Sequence, residues 1–259
     1  MREALWAELV KARRSRLPWV SVLAFTVAAG VGGLFMFILA DPARARALGL
    51  LGAKAQLAGG TADWLTYFGF LAQAVAVGGT MIFGLIVIWV FGREFSDHTV
   101  KDLLALPTPR TTVVAAKFAV TGGWCLLLAG YTYLLGLAIG AVLGLPGWSA
   151  GTAAHGLGVL LATAAMTVLL VAPFALAASA GRGYLAAVGV MFATVFTAQI
   201  IALLGYGPYF PWSVPALYSG VAGADQPPPG LLGYLLVVAV GAGGVIATAA
   251  WWRTADQSR

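Results

Sequence analysis

The sequence predicts an all-α integral membrane protein with six transmembrane helices, both termini in the cytoplasm, and an amphipathic interfacial helix before the first span. Hydrophobic residues make up 61% of the 259 residues, against roughly 45–50% in a soluble globular domain. Charged residues make up 9%, where a soluble chain carries about 25%. So few charges cannot cover a surface that faces water. The apolar residues also fall in long runs, as transmembrane helices require.

Six runs have the length of roughly 20 residues that crosses the hydrocarbon core. They cover residues 17–40, 65–91, 113–143, 152–178, 184–204 and 231–252. Between their ends, none of them contains an acidic or basic residue except Lys117. The second and third runs exceed a minimal span, so we expect these helices to tilt or to extend beyond the membrane.

The orientation follows from the distribution of lysine and arginine. Twelve of these residues, counting Lys117 near the start of the third span, lie before the first span, in or beside the second and fourth connections, and after the last span. The opposite side carries three, namely Arg44, Arg46 and Lys54. Because cytoplasmic connections are enriched in Lys and Arg, both termini are predicted to be cytoplasmic.

Residues 1–16 predict an amphipathic helix in the headgroup layer. Its apolar face carries Leu5, Trp6, Leu9 and Val10, and its charged residues Glu8, Lys11 and Arg14 lie largely opposite. A basic helix with tryptophan on its apolar face is typical of the membrane interface. Two interpretations remain open: a lever that passes movement to the first span, or an anchor that only fixes topology.

The cytoplasmic connection 92–112 predicts a short helix between two spans, over residues 97–106. Thr99 and Asp102 have the spacing of a capping box, and Pro107 and Pro109 end the helix. An apolar stripe follows at helical spacing, formed by Val100, Leu103 and Leu104. This stripe favours a docking site for a partner over a solvated loop helix.

The last extracellular connection, residues 205–230, carries no lysine or arginine and is rich in aromatic residues. Tyr206, Tyr209, Phe210, Trp212 and Tyr218 suit the membrane interface. By itself this pattern indicates at least an aromatic belt.

Several kinds of chemistry lack the residues that they need. The sequence has no Gly-x-x-x-x-Gly-Lys-Ser/Thr phosphate loop. Its two histidines, His98 and His155, are far apart in the sequence, so we expect no metal site and no catalytic triad. The net charge of +6 comes without a nucleic-acid-binding motif. We therefore expect no catalytic residue and no nucleic-acid partner.

The spans also lack the ionisable groups at membrane depth that ion-coupled transporters use. Their threonines, for example Thr80, Thr121 and Thr163, are expected to hydrogen-bond between helices. The spacing of Gly136, Gly140 and Gly144 allows another backbone to approach closely, which gives weak support for a dimer face.

In four short segments the chain resembles the membrane subunits of type-2 ABC transporters, the six-span permeases of drug, antibiotic-peptide and ion exporters. The first is Glu8-Leu9-Val10-Lys11, and the second runs from Glu94 to Thr99 into a short coupling helix. The third comprises Pro107, Arg110 and Lys117, and the fourth is the segment Pro211-Trp212-Ser213-Val214-Pro215. One departure is His98, which stands where the family commonly has glycine.

The resemblance implies a single permease domain over residues 1–259 that forms the substrate pathway of an ABC exporter in the plasma (inner) membrane. It implies a second permease subunit, identical or related, and two cytoplasmic ATPase subunits that bind ATP and Mg²⁺. Residues 205–230 would form a re-entrant hairpin at the outer end. Glu94, Asp97, Thr99, Arg110 and Lys117 would then hold the coupling helix, and Val100, Leu103 and Leu104 would contact the ATPase. Uncharged spans favour an amphipathic or hydrophobic cargo, and the alternative function is a non-catalytic membrane scaffold or a substrate-binding component of another transport complex.

Overall fold

The computed structural model of the chain describes residues 1–49, 61–100, 108–220 and 228–254. Throughout these ranges the regular structure is helical. Six helices are long and apolar enough to cross a membrane, which confirms the predicted six-span, all-α class. They are α2 (Leu17–Ala40), α4 (Trp64–Ser96), α5 (Arg110–Val142), α6 (Ala150–Ala180), α7 (Tyr184–Leu203) and α9 (Leu231–Thr254).

Three shorter helices complete the described part of the chain. Helix α1 (Arg2–Arg14) precedes the first span, α3 (Pro42–Ala47) follows it, and α8 (Val214–Tyr218) lies before the last span. Two 3-10 turns, Gly207–Tyr209 and Pro211–Ser213, lead into α8. Most of the predicted coupling helix, including Leu103, Leu104 and Pro107, lies outside the described residues.

The second and third spans continue as helices beyond their apolar runs. Helix α4 passes the predicted end at residue 91 and continues to Ser96, and α5 begins at Arg110 instead of residue 113. Each has 33 residues, or about 50 Å at 1.5 Å per residue, whereas the hydrocarbon core is about 30 Å thick. The added turn of α4 brings Glu94 into the helical bundle near its end, where Lys117 of α5 also lies. We call this the basic end, because α1, Arg93, Arg110 and Arg253 also lie there.

Helix α4 is the centre of the bundle. Of the residues in its most apolar part 61% are buried, against 11% in α7. It packs most extensively against α6, and α6 packs in turn against α9. The main apolar core includes Phe83 and Phe91 of α4 and Phe174 of α6. Most of the surface of α7 is therefore not covered by the rest of the chain.

The glycines of the third span pack within the chain. A Cβ atom at Gly140 would lie 2.5 Å from the Trp64 ring, and one at Gly136 would overlap Leu71. Both contacts are with α4, so these glycines allow α4 and α5 to approach each other and do not form a dimer face. Gly144 ends the segment with a φ of +64°, a conformation that glycine adopts without a Cβ clash.

Several threonines of the spans bond within their own helices. Their hydroxyls donate to the carbonyl four residues earlier, as in Thr80 to Ala76, Thr121 to Lys117 and Thr163 to Val159. The same geometry holds for Thr132, Thr167 and Thr194. The expectation that these side chains join neighbouring helices was wrong for these residues, because the carbonyl four residues earlier in the same helix lies within reach of each hydroxyl.

Candidate coupling site

The basic end contains a buried group of charged side chains drawn from three helices. Lys117 of α5 is fully buried, and its Nζ lies 2.9 Å from Glu94 Oε1 of α4 and 3.1 Å from Glu8 Oε2 of α1. It also donates to the Val90 carbonyl at 3.1 Å. The three donor positions of an ammonium group are thus all used.

Lys11, whose side chain is partly exposed, supplies the second positive charge for the two glutamates. Its Nζ lies 2.8 Å from Glu94 Oε1 and 3.0 Å from Glu8 Oε1. Two lysines and two glutamates therefore share one site with no net charge. An isolated buried charge would cost several kcal/mol, and this pairing is what makes the burial tolerable.

A fifth side chain extends this arrangement toward the connection between α4 and α5. The Thr99 hydroxyl donates to Glu94 Oε2 at 2.7 Å. Glu94 thereby accepts from Thr99 at one oxygen and from both lysines at the other. We call Glu8, Lys11, Glu94, Thr99 and Lys117 the charge network.

The carboxylates around Lys11 change its acidity. Burial lowers the pKa of this lysine, but the hydrogen bond to Glu94 and the charges of Glu8 and Glu94 outweigh that effect. The pKa therefore lies above its ordinary value of 10.5. Lys11 is a cation at any physiological pH, so the network keeps its balance of charge.

The burial of Glu8 is a feature of α1 that the sequence did not predict. The sequence placed Glu8 largely opposite the apolar face; Glu8 is buried against the bundle, while Trp6 and Leu9 on the apolar face are largely exposed. Leu5 is intermediate in exposure. The helix turns its acidic residue inward because Lys117 lies opposite it, 109 positions along the chain.

The remaining predicted coupling residues lie around the network. Asp97 is exposed and pairs with Arg93 at 3.0 Å, one turn earlier in α4. Arg110 donates to the carbonyls of Trp252 and Arg253 at the end of α9, at 3.2 and 3.5 Å. Val100 is 8% exposed and belongs to the main core, and its contact with an ATPase stays a prediction.

His98 occupies a conformation that favours glycine. Its φ is +57°, in the left-handed region, which costs most residues roughly 1–2 kcal/mol. The chain reaches this conformation directly after α4, between Glu94 and Thr99. The glycine common in the resembling family would suit this turn, and histidine adopts it with strain.

Two contacts, one in the network and one beside it, could not be predicted from the sequence. The Val90 carbonyl has no sequence signature, because only the packing of α5 on α4 brings Lys117 to it. The indole of Trp252, fully buried, donates to Ser179 Oγ at 3.0 Å and lies edge-on to Phe95. A tryptophan pair at the end of the last span was a visible signal, but aromatic residues there also fit a membrane-interface belt.

At the opposite end of the bundle, the predicted hairpin residues contact three spans. The indole of Trp212 donates to the Leu170 carbonyl of α6 at 3.0 Å, in the turn before Pro173. Ser213 Oγ donates to the Ala198 carbonyl of α7 at 3.1 Å, and Gln73 of α4 donates to the Ser219 carbonyl at 3.5 Å. Pro211 and Pro215 are buried. Within the described residues no three His, Cys, Asp or Glu side chains cluster as a metal site would require.

A family model described as "ABC-2 family transporter protein" matches residues 4–199. The chain belongs to this family. The matched range runs from α1 into α7 and contains every residue of the charge network. The predicted family is therefore confirmed.

A relative of known name agrees with this result. The ABC-2 chain is 25% identical over 181 residues to the bacitracin transport permease protein BCRB of Bacillus licheniformis, covering 69% of this chain and 85% of the relative. The prediction of a permease subunit of an ABC exporter is thus confirmed, and the scaffold alternative is not favoured. The chain is a multi-pass protein of the plasma (inner) membrane.

Proposed function

We propose that this ABC-2 permease lines the export pathway as one of two permease subunits, identical or related, driven by two copies of a cytoplasmic ATPase. In this arrangement ATP and Mg²⁺ bind to the ATPase chains. The basic end of the bundle faces the cytoplasm, as the excess of lysine and arginine favours. The 4–199 family match supports an ATPase partner.

The charge network carries the proposal for coupling. Thr99 lies just before the connection that the ATPase would push, and its hydroxyl holds Glu94. Glu94 is bonded to Lys117 of α5 and to Lys11 of α1. Hydrogen bonds to charged groups contribute about 1.5–3 kcal/mol each. A displacement of the connection therefore moves α1, α4 and α5 together, and α1 passes it to α2 across the two residues Ser15 and Arg16. Leu103 and Leu104 are proposed to enter a groove on the ATPase.

The surface of α7 supports a second permease copy. Gln199 and Thr197 lie exposed in the last two turns of an apolar helix. A polar group that faces lipid without a hydrogen-bond partner is costly. We propose that this face of α7 contacts the second subunit or the pathway between the two subunits.

The far end of the bundle is proposed to be the extracellular cap. The segment from Gly207 to Ser219 is tied to α4, α6 and α7 through Gln73, Leu170 and Ala198. These contacts would let the hairpin follow movements of three spans. The cargo is proposed to be amphipathic or hydrophobic, in line with the uncharged spans and with a relative named for bacitracin transport.

The experiment replaces Thr99 by valine, which keeps the shape and removes the hydroxyl that binds Glu94. The matched control is Thr163→Val, because the hydroxyl of Thr163 bonds only within α6. Both variants are purified with the ATPase that copurifies with the wild-type chain. We expect Thr99→Val to keep the complex intact and to lower cargo-stimulated ATPase activity several-fold, with basal ATPase activity and the control unchanged.

Two results would overturn the proposal. If Thr99→Val and Leu103→Asp with Leu104→Asp both left cargo-stimulated ATPase activity unchanged in an intact complex, the coupling assignment would be wrong. If no ATPase with a phosphate loop copurified with the wild-type chain, the proposed assembly would be wrong.

A further inference from the structure

A basic cleft lies beside α1 at the basic end of the bundle. It has a volume of about 540 Å³ and is bounded by α1, by the last turns of α4 and by the start of α7. Its charged walls are Lys11, Arg14, Arg16, Arg93 and Asp97. Four cationic side chains therefore face one carboxylate.

Two of the four cations have no acidic partner among the residues that the structure describes. Arg93 is held by Asp97 at 3.0 Å and lies 5.0 Å from the Trp89 ring, and Lys11 is shared between Glu8 and Glu94. Arg14 and Arg16 form no ion pair with any residue that the structure describes. They flank Ser15, where the extended backbone separates α1 from α2. The cleft thus holds two available guanidinium groups, the side chain best suited to bind phosphate oxygens in pairs.

The cleft lies at the level of the lipid headgroups. The first span begins at Leu17, directly after Arg16, and Trp19 in its first turn is largely exposed. Trp89 and Tyr184 line the cleft itself. Tryptophan and tyrosine concentrate where the hydrocarbon core meets the headgroups. The two unpaired arginines are therefore held where lipid phosphates are the most abundant anions.

We infer that this cleft binds the phosphate of an anionic phospholipid, with Arg14 and Arg16 as its principal contacts. Basic pockets beside transmembrane helices on the cytoplasmic side suit such headgroups. Trp89 and Tyr184 contact the glycerol and the first methylenes of the acyl chains. This site depends on the local charge and shape alone, so it does not rest on the coupling role proposed for the charge network.

The test measures binding of dioleoyl phosphatidylglycerol to the detergent-purified full chain by native mass spectrometry. The variant Arg14→Gln with Arg16→Gln removes the two unpaired cations. The matched control, Arg2→Gln with Arg13→Gln, removes the same charge from the same helix outside the cleft, since Arg13 lines a different hollow between α1, α2 and α5. We expect the cleft variant to bind the lipid about 30-fold more weakly and the control to bind within about threefold of wild type.

Four outcomes would overturn the inference. Equal weakening in the control would show attraction to diffuse surface charge, and equal binding of dioleoyl phosphatidylcholine would show that headgroup charge is not recognised. Displacement of the lipid by millimolar inorganic phosphate would make the cleft a site for soluble anions. Unchanged lipid binding in the cleft variant, with loss of the copurifying ATPase, would make it a protein contact.

Discussion

Replacing Lys117 by methionine tests whether the charge network stabilises the bundle. Methionine is close in length to lysine and keeps the apolar part of the side chain, but it removes contacts to Glu8, Glu94 and the Val90 carbonyl at 2.9–3.1 Å. It leaves two buried carboxylates to share Lys11. Removing one partner of a buried ion pair costs about 3–5 kcal/mol, because the remaining charge loses its compensation. We expect a loss of that size in the free energy of unfolding.

A second variant separates the loss of charge balance from the loss of packing. Lys117→Met combined with Glu94→Gln again leaves no net charge, and the Glu8–Lys11 pair at 3.0 Å remains. Because directly interacting sites couple by about 0.5–3 kcal/mol, the double variant is expected to be more stable than Lys117→Met alone. The control is Arg93→Gln, which removes a partly exposed pair with Asp97 and should cost less than about 1 kcal/mol.

The assay titrates the purified chain in mild-detergent micelles with SDS and follows tryptophan fluorescence. The reasoning would be refuted if Lys117→Met cost no more than Arg93→Gln. It would also be refuted if the stability lost by the double variant equalled the sum of the losses measured for Lys117→Met alone and for Glu94→Gln alone, because the two charges would then act independently.

Two further predictions concern the ends of α4 and use the same titration. Asp63 caps this helix by accepting from the Thr66 amide at 2.8 Å, so Asp63→Ala should cost about 0.5–2 kcal/mol at pH 7. Burial raises the pKa of Asp63, but hydrogen bonds from Thr61 and Thr66 outweigh it and leave the pKa below 3.8. The stabilisation by Asp63 is therefore complete above pH 3.8 and is lost as the pH falls through the folded-state pKa. The difference in free energy of unfolding between the wild type and Asp63→Ala should decrease over that pH range. A difference that does not change with pH would contradict this prediction. At the other end, His98→Val should cost about 1–2 kcal/mol more than His98→Gly, because the φ of +57° disfavours a β-branched side chain; equal stability of the two variants would show that the turn relaxes freely.

The six spans could be predicted because a bilayer imposes a length and a composition that a sequence displays directly. Their ends were harder to predict. Helix α4 continues through Arg93 and Glu94 to Ser96, since charges end an apolar run without ending a helix. A helix that leaves the hydrocarbon core still gains backbone hydrogen bonds and, here, the interactions of Glu94.

The members of the charge network were individually visible in the sequence, but their meeting point was not. Glu8 and Lys117 are 109 residues apart, and nothing local relates them. A helical-wheel reading of α1 assigns its charged face to water, which holds only when no buried partner of opposite charge is available. The threonine hydroxyls illustrate the same limit, because a pattern shows that a group is polar and not which acceptor lies nearest.

The burial of Lys117 between Glu8 and Glu94 also bears on how the chain is made. A ribosome produces α1 and α4 before α5, so both carboxylates exist in the nascent chain while Lys11 is the one network lysine yet synthesised. Within the network, Glu8 and Glu94 then face Lys11 alone, so one negative charge stays unbalanced there until residue 117 leaves the exit tunnel. The arrival of the third span closes this gap, because Lys117 then pairs with both Glu8 and Glu94.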